Sequence, residues 1–336
     1  MNNLKIEALK KIFSILLRVG VSIILLIFLF KQVDKKSLLE IIKNADKFLL
    51  FAAFLIFSLG YIICVLRWEM LLKAVKIHLP LKRVIISFSG GIFFSLFLPS
   101  TIGGDLMRSI DLAAYTKRPR EVIATVLLDR LSGYVGLVLL ALLALLFGWK
   151  FLQDKSVLLS IMIITALLIA ILLVLFNKFV YFKINQLLHS PNAGRFRQLL
   201  KDLHQEVHYF RQHKKVIINN LIFSLLIQAV TPVTFFIIAR SLGIKVDIIY
   251  FFIFLPIICA ITLLPISIGG LGLRDASAIF FFAKVGIAKD SAFAMSLLNF
   301  FFIAVYGGLG GLIYVLTAHH RRIQHHKPLP IHTAGP

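Results

Sequence analysis

Apolar residues in this chain neither alternate nor keep to one helical face. They come in long runs separated by short polar segments that are mostly basic. The long runs fall at about 12–30, 48–66, 84–99, 122–147, 157–176, 216–239, 248–266 and 291–317, with a shorter one near 276–287. At a rise of about 1.5 Å per residue, roughly 20 apolar residues cross the hydrocarbon core of a bilayer. Most of these runs therefore predict transmembrane helices. The third and seventh end in a Gly/Pro interruption. Leu98 to Arg108 reads LPSTIGGDLMR, and Leu264 to Arg274 reads LPISIGGLGLR. Six of the eleven positions are identical (Leu98/Leu264, Pro99/Pro265, Ile102/Ile268, Gly103/Gly269, Gly104/Gly270 and Arg108/Arg274), and Thr101/Ser267 and Met107/Leu273 are conservative. The copies lie 166 residues apart in a chain of 336, so each holds the same place in its own half.

Such a break cannot continue as a regular helix in lipid, because the freed backbone groups need partners in protein or water. Corresponding Gly/Pro breaks in two halves are the strongest sequence pointer to a transport site. Charge gives the orientation. Segment 177–216 carries eight Lys/Arg against two acids and is expected on the cytoplasmic side, as are the basic loop 67–83 and the C-terminal tail. Eight full crossings from a cytoplasmic N-terminus would put 177–216 outside. Six crossings and two oppositely inserted hairpins place it, and both termini, inside. Loop 31–47 runs against this reading, since it would lie outside with five lysines and three acids. The expected fold is an all-α polytopic membrane protein with an inverted-topology internal repeat and two re-entrant, Gly/Pro-broken hairpins.

That reading makes 1–317 a single transmembrane domain, with repeat halves at about 48–147 and 216–317. Segment 177–215 carries Phe196, Leu199, Leu200, Leu203, Val207 and Phe210 at helical spacing, which predicts an amphipathic helix on the cytoplasmic membrane surface. Residues 318–336 are expected to form a disordered basic and His-rich tail.

Composition agrees. The chain is 59% hydrophobic, with a mean hydropathy of +0.92. Thirty-seven basic against 15 acidic residues give a net charge of +22. The basic residues sit mostly between apolar runs, so positive-inside topology and anionic lipid headgroups account for them without a nucleic-acid partner. Cys64 and Cys259 lie in apolar runs and suggest neither a disulfide framework nor a metal site. No Walker A loop, paired Cys/His spacing or Gly-x-Ser-x-Gly elbow is present, so no enzyme, cofactor or metal is expected. The first apolar run lacks a small-residue cleavage site and is expected to stay as an anchor.

Charges placed in or beside apolar runs are costly, at roughly 2.5–3.5 kcal/mol each at the bilayer centre. Asp105, Arg108, Asp129, Arg130, Arg274 and Asp275 are of this kind. Arg108 and Arg274 each follow their Gly-Gly pair by four residues. Glycines let the backbone turn and approach a ligand, the start of a new helix favours an anion, and a guanidinium binds phosphate bidentately. Arg108, Arg130 and Arg274 are thus candidate phosphate ligands, with Gly103, Gly104, Gly269 and Gly270 shaping the hairpin tips. Asp105, Asp129 and Asp275 would balance or couple charge. Two such elements entering from opposite faces would build a polar cavity near the midplane. Close helix packing is an equally good reason for the glycines alone. Arg67 and Arg240, at the ends of runs, read first as interfacial anchors. The repeat breaks where Asn299 stands opposite Arg130.

The Gly-Gly-Asp/Leu-x-x-Arg elements, the Asp129–Arg130 pair and the stretch Gly-Leu-Gly-Leu-Arg-Asp at 270–275 resemble the lysylphosphatidylglycerol synthase transmembrane-region family over about 10–317. That family includes the flippase half of multiple peptide resistance factors. The resemblance implies an integral protein of a bacterial inner membrane that moves lipids between leaflets. The soluble aminoacyl-transferase domain of the full factors has no counterpart here, so lipid aminoacylation is not implied. Asn299, where symmetry calls for arginine, departs from a strictly duplicated site.

The expected function is a flippase-like transporter for an anionic phospholipid or polyprenyl-phosphate lipid. A membrane-embedded enzyme acting on a lipid phosphate, or an accessory subunit presenting lipid to a partner lipid-modifying enzyme, remain as alternatives.

Overall fold

A computed structural model of the chain describes residues 34–98, 101–148, 154–176, 214–263, 267 and 270–325, with a few positions between 20 and 31. Among the described residues every regular element is an α-helix: α1 Lys35–Lys43, α2 Lys47–Ala74, α3 Leu81–Phe97, α4 Thr101–Thr116, α5 Pro119–Phe147, α6 Lys155–Phe176, α7 Lys214–Ser241, α8 Ile248–Thr262, α9 Leu273–Ala283 and α10 Lys289–His325. Of the surface segment expected over 177–215, residues 177–213 lie outside the described residues and Lys214 and Lys215 open α7; most of the first apolar run also lies outside them.

Four helices, α2, α5, α7 and α10, are long and apolar enough to cross a membrane. With 28 residues, α2 extends about 42 Å at 1.5 Å per residue, more than the roughly 30 Å of a hydrocarbon core. Their outer faces are apolar. On α2, Leu55, Leu59, Ile62 and Leu66 are all exposed; their spacing of four, three and four residues makes one continuous stripe along the helix. A water-soluble helix turns such a stripe inward, so here it meets lipid. The protein is an integral membrane protein.

By contrast, α3, α4, α8 and α9 have 17, 16, 15 and 11 residues. They reach only about 16–26 Å and are too short to cross upright. Each pair, α3–α4 and α8–α9, meets near the repeated Leu-Pro element. Leu98, which precedes Pro99, is extended at φ −84°, ψ 144°, as the proline ring demands of the residue before it. There α3 stops.

The two copies of the repeated element then diverge. In the first, α4 resumes at Thr101 and carries Gly103 and Gly104 within the helix. In the second, Gly270 and Gly272 both take positive φ, 75° and 78°, and α9 begins only at Leu273. Gly272, which replaces the Leu106 of the first copy, contributes to this. It supplies a left-handed position that leucine disfavours, and the Asp275 carboxylate accepts its N–H at 3.0 Å.

Helices pack in matching relations across the two halves: α2 on α7, α3 on α10 and α5 on α8, with α4 against α5 and α9 against α10. Between helices in a bilayer, close packing rather than water exclusion drives association, and glycines permit it. A Cβ on Gly310 would lie 2.7 Å from the Ser89 carbonyl oxygen, so α3 and α10 touch through backbone. Helix ends are tied by polar contacts. The Asp46 N–H donates to Ser241 O at 2.8 Å, joining the start of α2 to the end of α7. Arg118 donates to Lys76 O at 3.2 Å, joining the two ends that flank α3–α4. Lys284 after α9 donates to Asp154 before α6 at 2.7 Å.

α10 runs past the domain boundary expected at 317 and through Arg321 and Arg322 to His325. No glycine or proline interrupts the sequence there before Pro328, so nothing forces an earlier stop. Residues 326–336 lie outside the described residues.

Candidate functional site

Five charged side chains from three helices form one buried network. Asp129 on α5 accepts from Arg67 Nε at its Oδ1, 2.7 Å, and from Arg108 Nη2 at its Oδ2, 2.8 Å. Asp105 on α4 accepts from Arg108 Nε at 3.0 Å and, through its other oxygen, from Arg130 Nε. The sequence geometry explains the pairing: Asp105 and Arg108 are three residues apart on α4 and share a face. Both carboxylates thus hold a guanidinium on each oxygen. Arg67, Arg108 and Asp129 are almost fully buried, while about a third of the Arg130 side chain is open.

Neighbours fix the arginines in place. The Arg108 guanidinium lies 4.8 Å from the Trp68 ring and 5.0 Å from the Phe88 ring, a favourable cation–π setting. Trp68 is itself anchored by Nε1 donating to Thr125 Oγ1 at 3.2 Å. Arg67 Nη1 donates to Ser224 on α7 at 2.9 Å. One donor is left over. Arg108 Nη1 is buried and has no hydrogen-bond partner, which costs free energy unless something else meets it.

The network walls a cavity of about 300 Å³ between α2, α3, α4, α5, α7 and the end of α8. Its charged lining is Arg67, Arg108 and Arg130 against Asp105 and Asp129, a surplus of one positive charge. Gln228 of α7 and Cys64 of α2 also face it, and the second half adds Cys259, Thr262 and Leu263. Such a site suits an anion carrying more than one acceptor oxygen, because guanidiniums held in a fixed orientation match that geometry. Among the described residues no group of three His, Cys, Asp or Glu could hold a metal.

The structure brings Arg108, Arg130, Asp105 and Asp129 together and sets Arg274 and Asp275 apart. Arg274 donates to the adjacent Asp275 at 2.9 Å and to Ser296 on α10 at 3.0 Å. Neither residue lines the cavity. The cause is the late start of α9: Arg274 is its second residue, whereas Arg108 is the eighth of α4.

Gly103 and Gly104 sit at close approaches. A Cβ on Gly104 would stand 2.2 Å from the Gly91 carbonyl oxygen, and one on Gly103 would stand 2.5 Å from the Leu98 side chain. Gly104 also reaches the cavity wall, Gly270 forms the turn before α9, and Gly269 lies outside the described residues.

Arg67 is a correction. It is a central member of the network rather than an interfacial anchor, because it lies well inside α2 and finds Asp129 across the helix pair. Arg240 is exposed over the Phe236 ring at 4.9 Å. A missed signal is the stripe Asn220, Ser224 and Gln228, polar residues at four-residue spacing in an apolar run. That spacing puts all three on one helix face, and polar residues inside a span usually face the protein interior. Ser224 and Gln228 do so here, with Gln228 donating to Gly133 O at 2.8 Å.

Over 310 residues the chain is 22% identical to a UPF0104 membrane protein of Pyrococcus horikoshii, spanning 85% of this chain and 91% of that relative. No solved structure matches it. Residues 15–311 match the family described as the lysylphosphatidylglycerol synthase TM region. With nearly the whole helical body inside that match, the chain belongs to the lysylphosphatidylglycerol synthase TM region family.

Proposed function

We propose that this protein is a flippase-like transporter that moves an anionic, phosphate-bearing lipid between leaflets, with the cavity at Arg108 as its headgroup site. The observation that carries the reading is Arg108 Nη1. It is a buried guanidinium nitrogen without a hydrogen-bond partner, on an arginine that lines a cavity with one more positive than negative charge. A phosphate oxygen supplies the missing acceptor.

The architecture is an inverted repeat in this reading. The short pairs α3–α4 and α8–α9 are re-entrant hairpins that enter from opposite faces. Two observations support it. The ends of α3–α4 share a side with Lys76 and Arg118, while α9 ends beside the α5–α6 connection at Asp154. Because α5 starts next to Arg118 and is long enough to cross, these two places lie on opposite faces. The basic character of the first face, with Lys73, Lys76, Lys82 and Lys117, makes it the cytoplasmic one. The cavity then sits near the midplane between the two halves, where alternating access needs it.

Purified protein in liposomes tests the proposal. Transbilayer movement of a headgroup-labelled phosphatidylglycerol or polyprenyl phosphate should exceed that of protein-free liposomes and fall with Arg108→Gln. Movement equal to the protein-free control for every anionic lipid overturns it. Chemical conversion of such a lipid in detergent would instead identify an enzyme, and inactivity together with a stably co-purifying lipid-modifying enzyme would identify an accessory subunit.

A further inference from the structure

A second cavity of about 430 Å³ lies between α5, α6 and α8, walled mainly by aliphatic side chains such as Val138, Ile164, Leu168 and Ile257. Tyr134, Leu137 and Leu263 line both this groove and the charged cavity. The two spaces are therefore neighbours through three shared side chains. On its outer side the groove is bounded by α6, whose Ile163 and Leu167 are half or more exposed at 50% and 60%. That face of α6 meets the hydrocarbon of the bilayer. An arginine-walled chamber thus adjoins an aliphatic groove, and the groove adjoins lipid.

We propose that this groove holds one hydrocarbon chain of the same lipid whose phosphate sits at Arg108, and that the lipid enters sideways between α5, α6 and α8. The inference rests on the headgroup reading above and adds the substrate's second half and its route. Charge settles which end goes where. A hydrocarbon chain gains nothing beside Arg67, Arg108 and Arg130, and a phosphate is strongly disfavoured among the aliphatic side chains of α6 and α8. An amphiphile therefore has a single orientation across the Tyr134–Leu263 border. The route is also one-sided. In the second half, the site equivalent to the network is closed around Arg274, Asp275 and Ser296, and the groove lies on the α5–α6 side of the molecule.

The test uses nanodiscs of unlabelled phosphatidylcholine with a small fraction of phosphatidylglycerol bearing a photoreactive diazirine midway along one acyl chain. Cross-linked peptides should map to 160–168 of α6 and 257–263 of α8. Arg108→Gln should cut that labelling at least fivefold, and excess unlabelled phosphatidylglycerol should compete it away. Ala260→Trp, which fills the groove, should abolish it while leaving the protein able to bind soluble glycerol phosphate. If labelling of these segments is indifferent to Arg108→Gln and to competitor, the groove holds only annular lipid and the inference fails. If glycerol phosphate binds through Arg108 but Ala260→Trp leaves labelling and transport unchanged, the groove inference fails and the headgroup site stands. If glycerol phosphate does not bind at all, the headgroup reading itself fails. Wild-type folding of each variant is checked by its elution and melting profile, and Leu168→Trp replaces Ala260→Trp if the latter does not fold.

Discussion

Arg108 and Asp129 bond across two helices, Nη2 to Oδ2 at 2.8 Å, and so lock α4 to α5 in the interior of the bundle. The same carboxylate holds Arg67 of α2 through its other oxygen. One aspartate thus ties three helices, two of them long enough to cross the membrane.

Asp129→Ala is therefore expected to be strongly destabilising. It leaves Arg67 buried without a carboxylate and Arg108 with Asp105 alone, and breaking a buried pair costs about 3–5 kcal/mol. A melting curve in detergent should shift down by several degrees. The double variant Arg67→Met, Asp129→Leu should recover part of the loss, because it removes a charge along with its partner. An unchanged melting temperature for Asp129→Ala would mean that the network does not hold the helices together.

Within the network, Arg130 is the member with the most open side chain and the fewest structural duties. Arg130→Gln should keep the fold while reducing headgroup-dependent transport about tenfold or more, in line with the roughly 1.5–3 kcal/mol of a charged hydrogen bond. Arg274→Gln, outside the cavity, should change transport less than about threefold on the same scale. Liposome transport assays on both variants compare them directly, and the opposite ranking in well-folded protein would move the site to the second half.

Glycine substitutions separate contact from conformation. Gly104→Ala brings a Cβ to 2.2 Å from the Gly91 carbonyl oxygen, so α3 and α4 must part, at a cost of about 1–3 kcal/mol or more. Gly308→Ala on α10 meets nothing within 4 Å and should be neutral or stabilising by about 0.5–1 kcal/mol. Thermal stability of the two variants is the measurement.

A pH-dependent contact ties the outer end of α9 to the start of α6. Lys284 donates to Asp154 at 2.7 Å, and Asp154 also accepts from Ser156. These hydrogen bonds, the lysine's first, hold the Asp154 carboxyl below its ordinary value. A depressed carboxylate stabilises the fold above its unfolded value, about 3.9, and loses that contribution as pH falls through the lower folded value. Wild type should thus melt higher than Asp154→Asn at neutral pH, with the gap closing below about pH 4. Both side chains are partly open, so the gap should be modest and smaller in high salt. A gap that widens on acidification would contradict the assignment.

Much of this architecture was legible in the residues. Run lengths identified the spanning helices α2, α5, α7 and α10, and the Leu-Pro breaks marked where α3 and α8 end. Buried charge was legible too, since Asp105, Arg108, Asp129 and Arg130 stood out as charges in apolar surroundings. Arg67 was not, because a charge near the end of a run looks the same in sequence whether it turns to the headgroups or across to a partner helix. Nor was the difference between the two Gly-Gly copies. The copies share six identities, yet in the second two left-handed glycines, Gly270 and Gly272, precede a helix that starts only at Leu273, so Arg274 is its second residue.

The sequence by itself determined that this is a helical membrane protein, because hydrophobicity and length are local properties that lipid reads directly. It also determined the position of the helix breaks, because proline and paired glycines act on their own backbone. Only the tertiary structure decided which charges meet. Pairing Arg67, Arg108 and Arg130 with two aspartates depends on how α2, α4 and α5 are rotated about their axes, because Arg67 stands 62 residues from Asp129 along the chain and bonds to it only in space. Interhelical packing, as where Gly104 of α4 meets Gly91 of α3, holds those rotations.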